Sequence, residues 1–273
     1  MKLIEFRIMM PISLDRFPAA KAYMVHGYVK NSSGGGEGIE IVKNGEPYNE
    51  NGEKGTLNYK IYHVKSQIPG FIRWAVPDRY LHFNEKSYNS YPHCKSLLRV
   101  PALKDDFILD VESQHIIYTN KMEFPSNYMD MTDEELKMRE VIYIDILNGN
   151  PYPDSDPNLD LSNFICPEAG FNTPLTSPPG YNPNAPPKWT ETFNGPMICV
   201  IKVLKFHFKW WGIQTGAENL VAHTFYPKLF TESHRKIVAH MKDWYALTDE
   251  DLEKMGEKIH KEQLEGEGFT IDE

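Results

Sequence analysis

A chain of 273 residues lies near the upper size for one hydrophobic core, so a single domain over 1–273 is the leading reading. Charged residues at 25% exclude a membrane-embedded or wholly disordered chain, and a net charge of −9 argues against a nucleic-acid partner, because phosphate contacts need clustered Lys and Arg. Aromatic content is the outlier: 14 Phe, 15 Tyr and 5 Trp make 12%, a large ring surface for one soluble domain.

From the N-terminus, 2–9 reads as a strand that Glu5 and Arg7 make too charged for a signal peptide. No apolar run approaches the roughly 18 residues that cross a bilayer, so a cytoplasmic protein with at most peripheral membrane contact is expected. Ser13 or Asp15 can cap a helix to about Tyr28, with Phe17, Ala20, Met24 and Tyr28 on one face and Pro18 in the first turn. Residues 31–38 are loop by composition, 39–42 a strand, and Asn44-Gly45 and Asn51-Gly52 signal tight turns. Residues 58–64 alternate as a strand, 69–77 read as one or two helical turns between prolines, and further strands are expected near 80–84, 93–99, 107–113 and 116–119.

A capping box at Thr132–Glu135 starts a short helix before the strand 141–146. Ten of the 20 prolines lie within 151–188, which excludes a helix or central strand there and points to a long surface loop. The longest strand signal is 197–212, in which Phe206, Phe208 and Trp210 alternate with Lys205, His207 and Lys209. A helix follows within about 228–246, with Pro227 limiting its upstream end, and a second starts at the capping box Thr248–Asp251 and runs to about 266. Many strands with a few amphipathic helices predict an α+β fold, an antiparallel sheet wrapped around a helix.

The three cysteines, Cys94, Cys166 and Cys199, have no paired spacing, which argues against a disulfide framework and a thiolate zinc site. The glycine run 34–38 lacks a Gly-Lys-Ser/Thr ending and reads as a hairpin loop rather than a phosphate loop. No HExxH, GxSxG or CxxC occurs and the ten histidines are scattered, so neither metal nor cofactor is expected. A His93–Cys94 couple is the sole hint of catalysis, set against the plainer reading of a pocket-lining thiol. Adjacent strand residues point to opposite faces, so Trp210 and Trp211 cannot enter one core, and before Gly212 at least one indole is exposed. An exposed indole suits a membrane interface, where Lys202, Lys205 and Lys209 add attraction to anionic lipid; packing under a loop is the alternative.

The stretches NSSGGGEGIEIVKNGEPY, NGEKG, YKIYHVKSQIPGFIRWAVP, LHFNEKSYNSYPHCKS, VIYIDI, KFHFKWWGIQ and LFTESHRK…LTDEDLEKM occur in one order. Together they closely resemble the class I phosphatidylinositol transfer proteins, from residue 1 to about 257. The resemblance implies a StAR-related helix-grip fold: a concave, largely antiparallel sheet and helices enclosing one phospholipid, with the C-terminal helix at about 248–266 as a lid. It implies exchange of phosphatidylinositol and phosphatidylcholine between membranes by a monomer, without covalent chemistry, the bound phospholipid being ligand rather than cofactor. It places membrane docking on Trp210 and Trp211 and headgroup binding on Lys60, Asn89, Cys94, Ser96, Ser113 and Lys202.

Three headgroup positions depart from the family pattern. Asn58 stands where the family has an inositol-contacting threonine, Gly256 where it has a glutamate, and Lys21 where glutamine is usual. Glu257 is next to Gly256, but one helical position turns a side chain by about 100°. Losing buried hydroxyl partners discriminates against an inositol ring, so the resemblance implies phospholipid binding with an altered headgroup preference, in which Asn58, Lys21 and Glu257 replace the usual partners. The alternative is a module on the same fold that presents lipid to a protein partner.

Overall fold

The computed structural model describes residues 1–31, 38–50, 53–63, 77, 80, 82–119, 122–147, 159–176 and 178–266, with backbone alone for 25–31, 38–41, 44, 50, 63 and 258–266. In chain order the elements are β1 (Lys2–Met10), α1 (Phe17–Asn31), β2 (Gly38–Glu50), β3 (Glu53–His63), β4 (His82–Ser90), β5 (His93–Arg99), β6 (Phe107–Ile117), α2 (Asp133–Met138), β7 (Glu140–Ile144), β8 (Ile198–Phe208), α3 (Gln214–Leu220), α4 (Tyr226–Ala239), α5 (Met241–Trp244) and α6 (Asp249–Gly266). The strands form one sheet in the order β2-β3-β4-β5-β6-β8-β1-β7. Every neighbouring pair is antiparallel except β1–β7. This is the α+β, helix-grip class expected.

β1 and β8 lie side by side in the sheet, and most residues of both are buried on either face. Phe6 packs edge-on against Phe230 of α4 on one face, ring centroids 5.2 Å apart. On the other face the charges that broke the β1 pattern are paired. Glu5, fully buried, accepts from Arg7 Nε and Arg139 Nη1, each at 2.6 Å, and the Arg7 guanidinium sits 4.3 Å from the Phe124 ring. A buried carboxylate needs such partners, so Glu5 belongs to the core rather than to a functional site.

Several expectations are corrected. Asn44-Gly45 is no turn: β2 continues through it, with register shifts that make a bulge and with Gly45 at φ +69°. Residues 107–113 and 116–119 are not separate strands, since β6 runs unbroken to Ile117. Pro227 does not end the helix upstream, because a wide π turn at Val221–Phe225 joins α3 to α4 and leaves Pro227 in the first turn of α4, where its missing N–H is tolerated. In its described part, 159–176 and 178–188, the proline-rich segment forms no α-helix or central strand, as expected, but it also packs side chains into the core. Its apolar residues Leu159, Leu161, Cys166, Phe171 and Leu175 are buried, because a chain without regular elements still places side chains between its prolines. The loop 32–37, the pair Asn51-Gly52 and residues 69–76 lie outside the described residues.

α1 and α4 lie on the face of the sheet that carries Phe6. Phe17 of α1 packs on His115 of β6 at 4.6 Å, and Arg16 donates to the carbonyls of Trp244, Tyr245 and Leu247, tying the start of α1 to the α5–α6 connection. α6 packs against α1 and begins at the predicted capping box, with Asp251 N–H on Thr248 Oγ1 at 3.2 Å and Thr248 N–H on Asp251 Oδ2 at 2.9 Å. Under this cover sit two imidazoles, His115 and His234, each pushed from 6.5 down to about 3 by burial, with the charge of Lys202 adding to it.

Each of these histidines protonates near pH 6.5 when unfolded but not until about pH 3 when folded, so the unfolded state binds more protons between those values. Stability is therefore lost as pH falls below about 6.5, at up to about 1.4 kcal/mol per pH unit per imidazole. Thermal denaturation between about pH 7 and pH 4.5 checks this, and His115→Gln flattens the decline.

Candidate functional site

Between the sheet and the helices is a cavity of about 710 Å³, within the range of small-molecule and cofactor sites. Sheet register decides what faces it. Asn89, Cys94, Ser113 and Lys202 stand directly opposite one another on β4, β5, β6 and β8 and make one row across the sheet. Ser96 and Val111 form part of the next row, and Leu98, Leu109 and Phe206 of the one beyond. Further along the same strands are Phe83, Phe107 and Phe208, and Phe208 is six residues from Lys202, about 20 Å at strand rise. The cavity is therefore polar at one end and aromatic and aliphatic over the rest.

At the polar end two ammonium groups converge. Lys21, from α1, donates to Asn89 Oδ1 at 2.7 Å and lies 3.5 Å from Cys94 Sγ. Lys202, from β8, donates to Ser113 Oγ at 3.2 Å, and its Nζ is 5.2 Å from the centre of the Phe230 ring. Burial, with the like charge of Lys21 added, pushes the Lys202 ammonium from 10.5 down to about 8. Among the described residues no carboxylate lies within 4 Å of either nitrogen. Two half-buried cations with no carboxylate within 4 Å among the described residues suit an anion.

Of the expected headgroup residues, Lys21, Asn89, Cys94, Ser96, Ser113 and Lys202 all line the cavity. Lys60 stands opposite Glu85, on the cavity face of β3, yet is not among the lining residues. Asn58 is engaged elsewhere: its Oδ1 accepts the Gly45 N–H at 2.8 Å and so satisfies the β2 bulge. Glu257 is exposed on α6 and does not line the cavity. His93 and Cys94 point to opposite faces, as neighbours in a strand must. The His93 ring nitrogens lie 2.8 Å from Glu53 and Glu112, while Cys94 faces Lys21, so the couple does not form.

Sequence reasoning missed Glu85, which accepts from Tyr62 Oη at 2.5 Å on the cavity wall, and most of the aromatic lining. The period-2 placing of Phe206 and Phe208 was the available signal for the latter. Phe225 and Leu229 both line the cavity and are 54% and 42% exposed, which marks its open side. β8 ends at Phe208 rather than running to 212 as expected, so both tryptophans lie past the strand, and they divide there. Trp211 is 98% exposed, whereas Trp210 is half-buried, stacked on Phe208 at 6.2 Å and edge-on to Tyr80 at 5.4 Å.

Residues 1–261 match the family model described as phosphatidylinositol transfer protein. The chain is 34% identical over 258 residues to the phosphatidylinositol transfer protein beta isoform of Mus musculus, covering 94% of this chain and 92% of the relative. It is 32% identical over 265 residues to phosphatidylinositol transfer protein 2 of Dictyostelium discoideum, covering 96% and 95% respectively. With the matched region reaching from β1 into α6 and taking in every residue of the polar row, this chain belongs to the phosphatidylinositol transfer protein family.

Proposed function

We propose that this protein carries one phospholipid at a time and exchanges it between membranes, its phosphate at the Lys21–Lys202 end and its acyl chains along the Phe83–Phe208 wall. The observation that carries this reading is the two-ended cavity, with two ammonium groups that no carboxylate among the described residues approaches at one end and apolar rings over the rest. Taking acyl chains out of a bilayer requires about 0.8 kcal/mol of replacement burial per CH₂, which a wall of Leu, Val and Phe supplies. A phosphate needs charge-assisted donors, which Lys21 and Lys202 supply, supported by Ser113, Ser96 and Asn89. Phosphatidylinositol, in the names of the relatives, and phosphatidylcholine are the lipids implied by the family resemblance.

No described helix is long and apolar enough to cross a membrane, so contact with the bilayer falls to surface groups. Trp211 is the group that enters the interface, and Trp210 braces it by stacking on Phe208, a cavity residue. This coupling puts the docking tip next to the apolar end of the cavity. α6 acts as the lid through α1: it packs on the helix that brings Lys21 to the headgroup, so detaching it loosens the cover without exposing the sheet core. On this reading the carrier works as a monomer at the cytoplasmic side of membranes.

Loading of delipidated protein with phospholipid from vesicles falls as pH rises through about 8, because Lys202 then loses its proton and its hold on phosphate. Lys202→Met lowers loading about tenfold or more and removes this pH dependence, read by lipid recovered after gel filtration. A variant that loads as the parent does, with the same pH profile, contradicts the phosphate assignment. Trp211→Ala, which deletes an exposed ring and no packing, cuts vesicle association and transfer about tenfold while leaving preloaded lipid in place. Trp210→Ala also lowers the melting temperature, which Trp211→Ala does not.

A further inference from the structure

The part of the sheet built from β2 to β5 has a second concavity, on the face opposite the large cavity. Successive strand residues alternate, so Asn89, Cys94, Ser96 and Leu98 face the large cavity while Tyr88, His93, Lys95 and Leu97 face outward. With Tyr48 and Glu53 these four line a pocket of about 200 Å³, the scale of one large side chain. Gly55 makes the hollow. A Cβ there would lie 1.9 Å from the Asn89 carbonyl oxygen, so the position accepts no side chain, and it is the cross-strand partner of Tyr48. The Tyr48 ring leans instead on the Tyr88 ring, centroids 4.9 Å apart at 61°, and Leu97 adds an aliphatic wall.

The charges around this pocket are unevenly matched. Lys95 Nζ lies 3.9 Å from Glu112 Oε2, and the His93 ring nitrogens lie 2.8 Å from Glu53 Oε1 and Glu112 Oε1. Two carboxylates thus stand against one ammonium and one imidazole. Glu112 is engaged through both oxygens, whereas Glu53 Oε2 meets no partner among the described residues, and the Glu53 side chain is 43% exposed. Ser90, on the same face as Tyr88, keeps a buried hydroxyl with no hydrogen-bond partner among the described residues, an acceptor in reserve for an N–H. Aromatic faces beside an open carboxylate oxygen suit a cation with a flat, weakly hydrated head. A guanidinium fits best, because it stacks on rings while its forked N–H groups reach a carboxylate. The net charge of −9 favours the approach of a basic partner, and β2, which carries Tyr48, is the outermost strand, so an extended segment can lie along this rim. We propose that the outer pocket is a docking point for an arginine side chain presented by a basic segment of a protein partner. The site goes beyond the carrier reading and leaves the large cavity unobstructed, since the two open on opposite faces of the sheet.

The test titrates the ¹⁵N-labelled full chain with the peptide acetyl-Gly-Thr-Arg-Thr-Gly-amide and follows backbone amide shifts. The expected result is saturable binding, with shifts centred on Gly55, Tyr88 and Lys95 and absent from Lys21 and Lys202. Norleucine in place of the peptide arginine, or Glu53→Gln in the protein, weakens binding about tenfold, and Tyr88→Ala does so at least as much. Glu53→Gln changes an exposed group without altering its shape, so it keeps the test decisive where Tyr88→Ala fails to fold. Phospholipid loading and transfer by Glu53→Gln match the parent. Equal affinity for the norleucine peptide, or an unchanged affinity in Glu53→Gln, overturns the arginine assignment. The absence of saturable shifts at millimolar peptide overturns the docking point itself, and loss of lipid loading in Glu53→Gln overturns its separation from the carrier site. Acetyl-arginine-amide that binds as tightly as the peptide overturns the protein partner in favour of a small guanidinium compound.

Discussion

Two half-buried ammonium groups at one end of a largely apolar cavity, with no carboxylate within 4 Å of either among the described residues, set the terms for the rest of this molecule. Such an arrangement is unfavourable in an empty protein: removing an ion from water costs several kcal/mol, and the like charge of the neighbour adds to it. The depression of Lys202 to about 8 is the local expression of that cost. An arriving anion relieves it, so ligand binding gains from a penalty already present in the fold. The same residues that make the empty state less stable make the loaded state selective.

The fold produces this arrangement through register. Antiparallel pairing of β4, β5, β6 and β8 sets Asn89, Cys94, Ser113 and Lys202 in one line, and a one-residue slip in any strand would send its member to the opposite face. That face is already committed: Glu5 pairs there with Arg7 and Arg139, and His93 sits between Glu53 and Glu112. Exchange of the two faces would bury unpaired charge on one side and expose phenylalanines on the other. Lys21 completes the site from α1, a helix anchored at its start by Arg16 and covered by α6. Opening therefore requires movement of helices, while the sheet half of the site stays fixed.

Much of the fold was legible because it is local. The alternation at 197–212, the apolar run at 2–9 and the capping boxes at Thr132 and Thr248 each state their element within a few residues. One exposed indole was expected from strand alternation, and Trp211 does project, but from the turn that follows β8 rather than from the strand. What was not legible depends on distant partners. Asn44-Gly45 has the composition of a tight turn and becomes a bulge because β3 continues to pair past it. Asn58 looked like a headgroup residue by position, and the bulge claims its side chain. Pro227 ends a helix only when nothing upstream widens to accommodate it, and the π turn does so. Lys21 was legible only as a departure from a family pattern; that its nitrogen meets Asn89 is a fact of how α1 crosses the sheet.

The central claim is that the cavity holds one phospholipid, with its phosphate against Lys21 and Lys202. Native mass spectrometry of the full chain after incubation with mixed phospholipid vesicles tests it most directly. A single added mass equal to one phospholipid per chain, lost when both lysines are replaced by Met and Gln at 202 and 21, is the predicted result. A spectrum of unliganded protein after that incubation, or one in which the double variant holds lipid as firmly as the parent, contradicts the account.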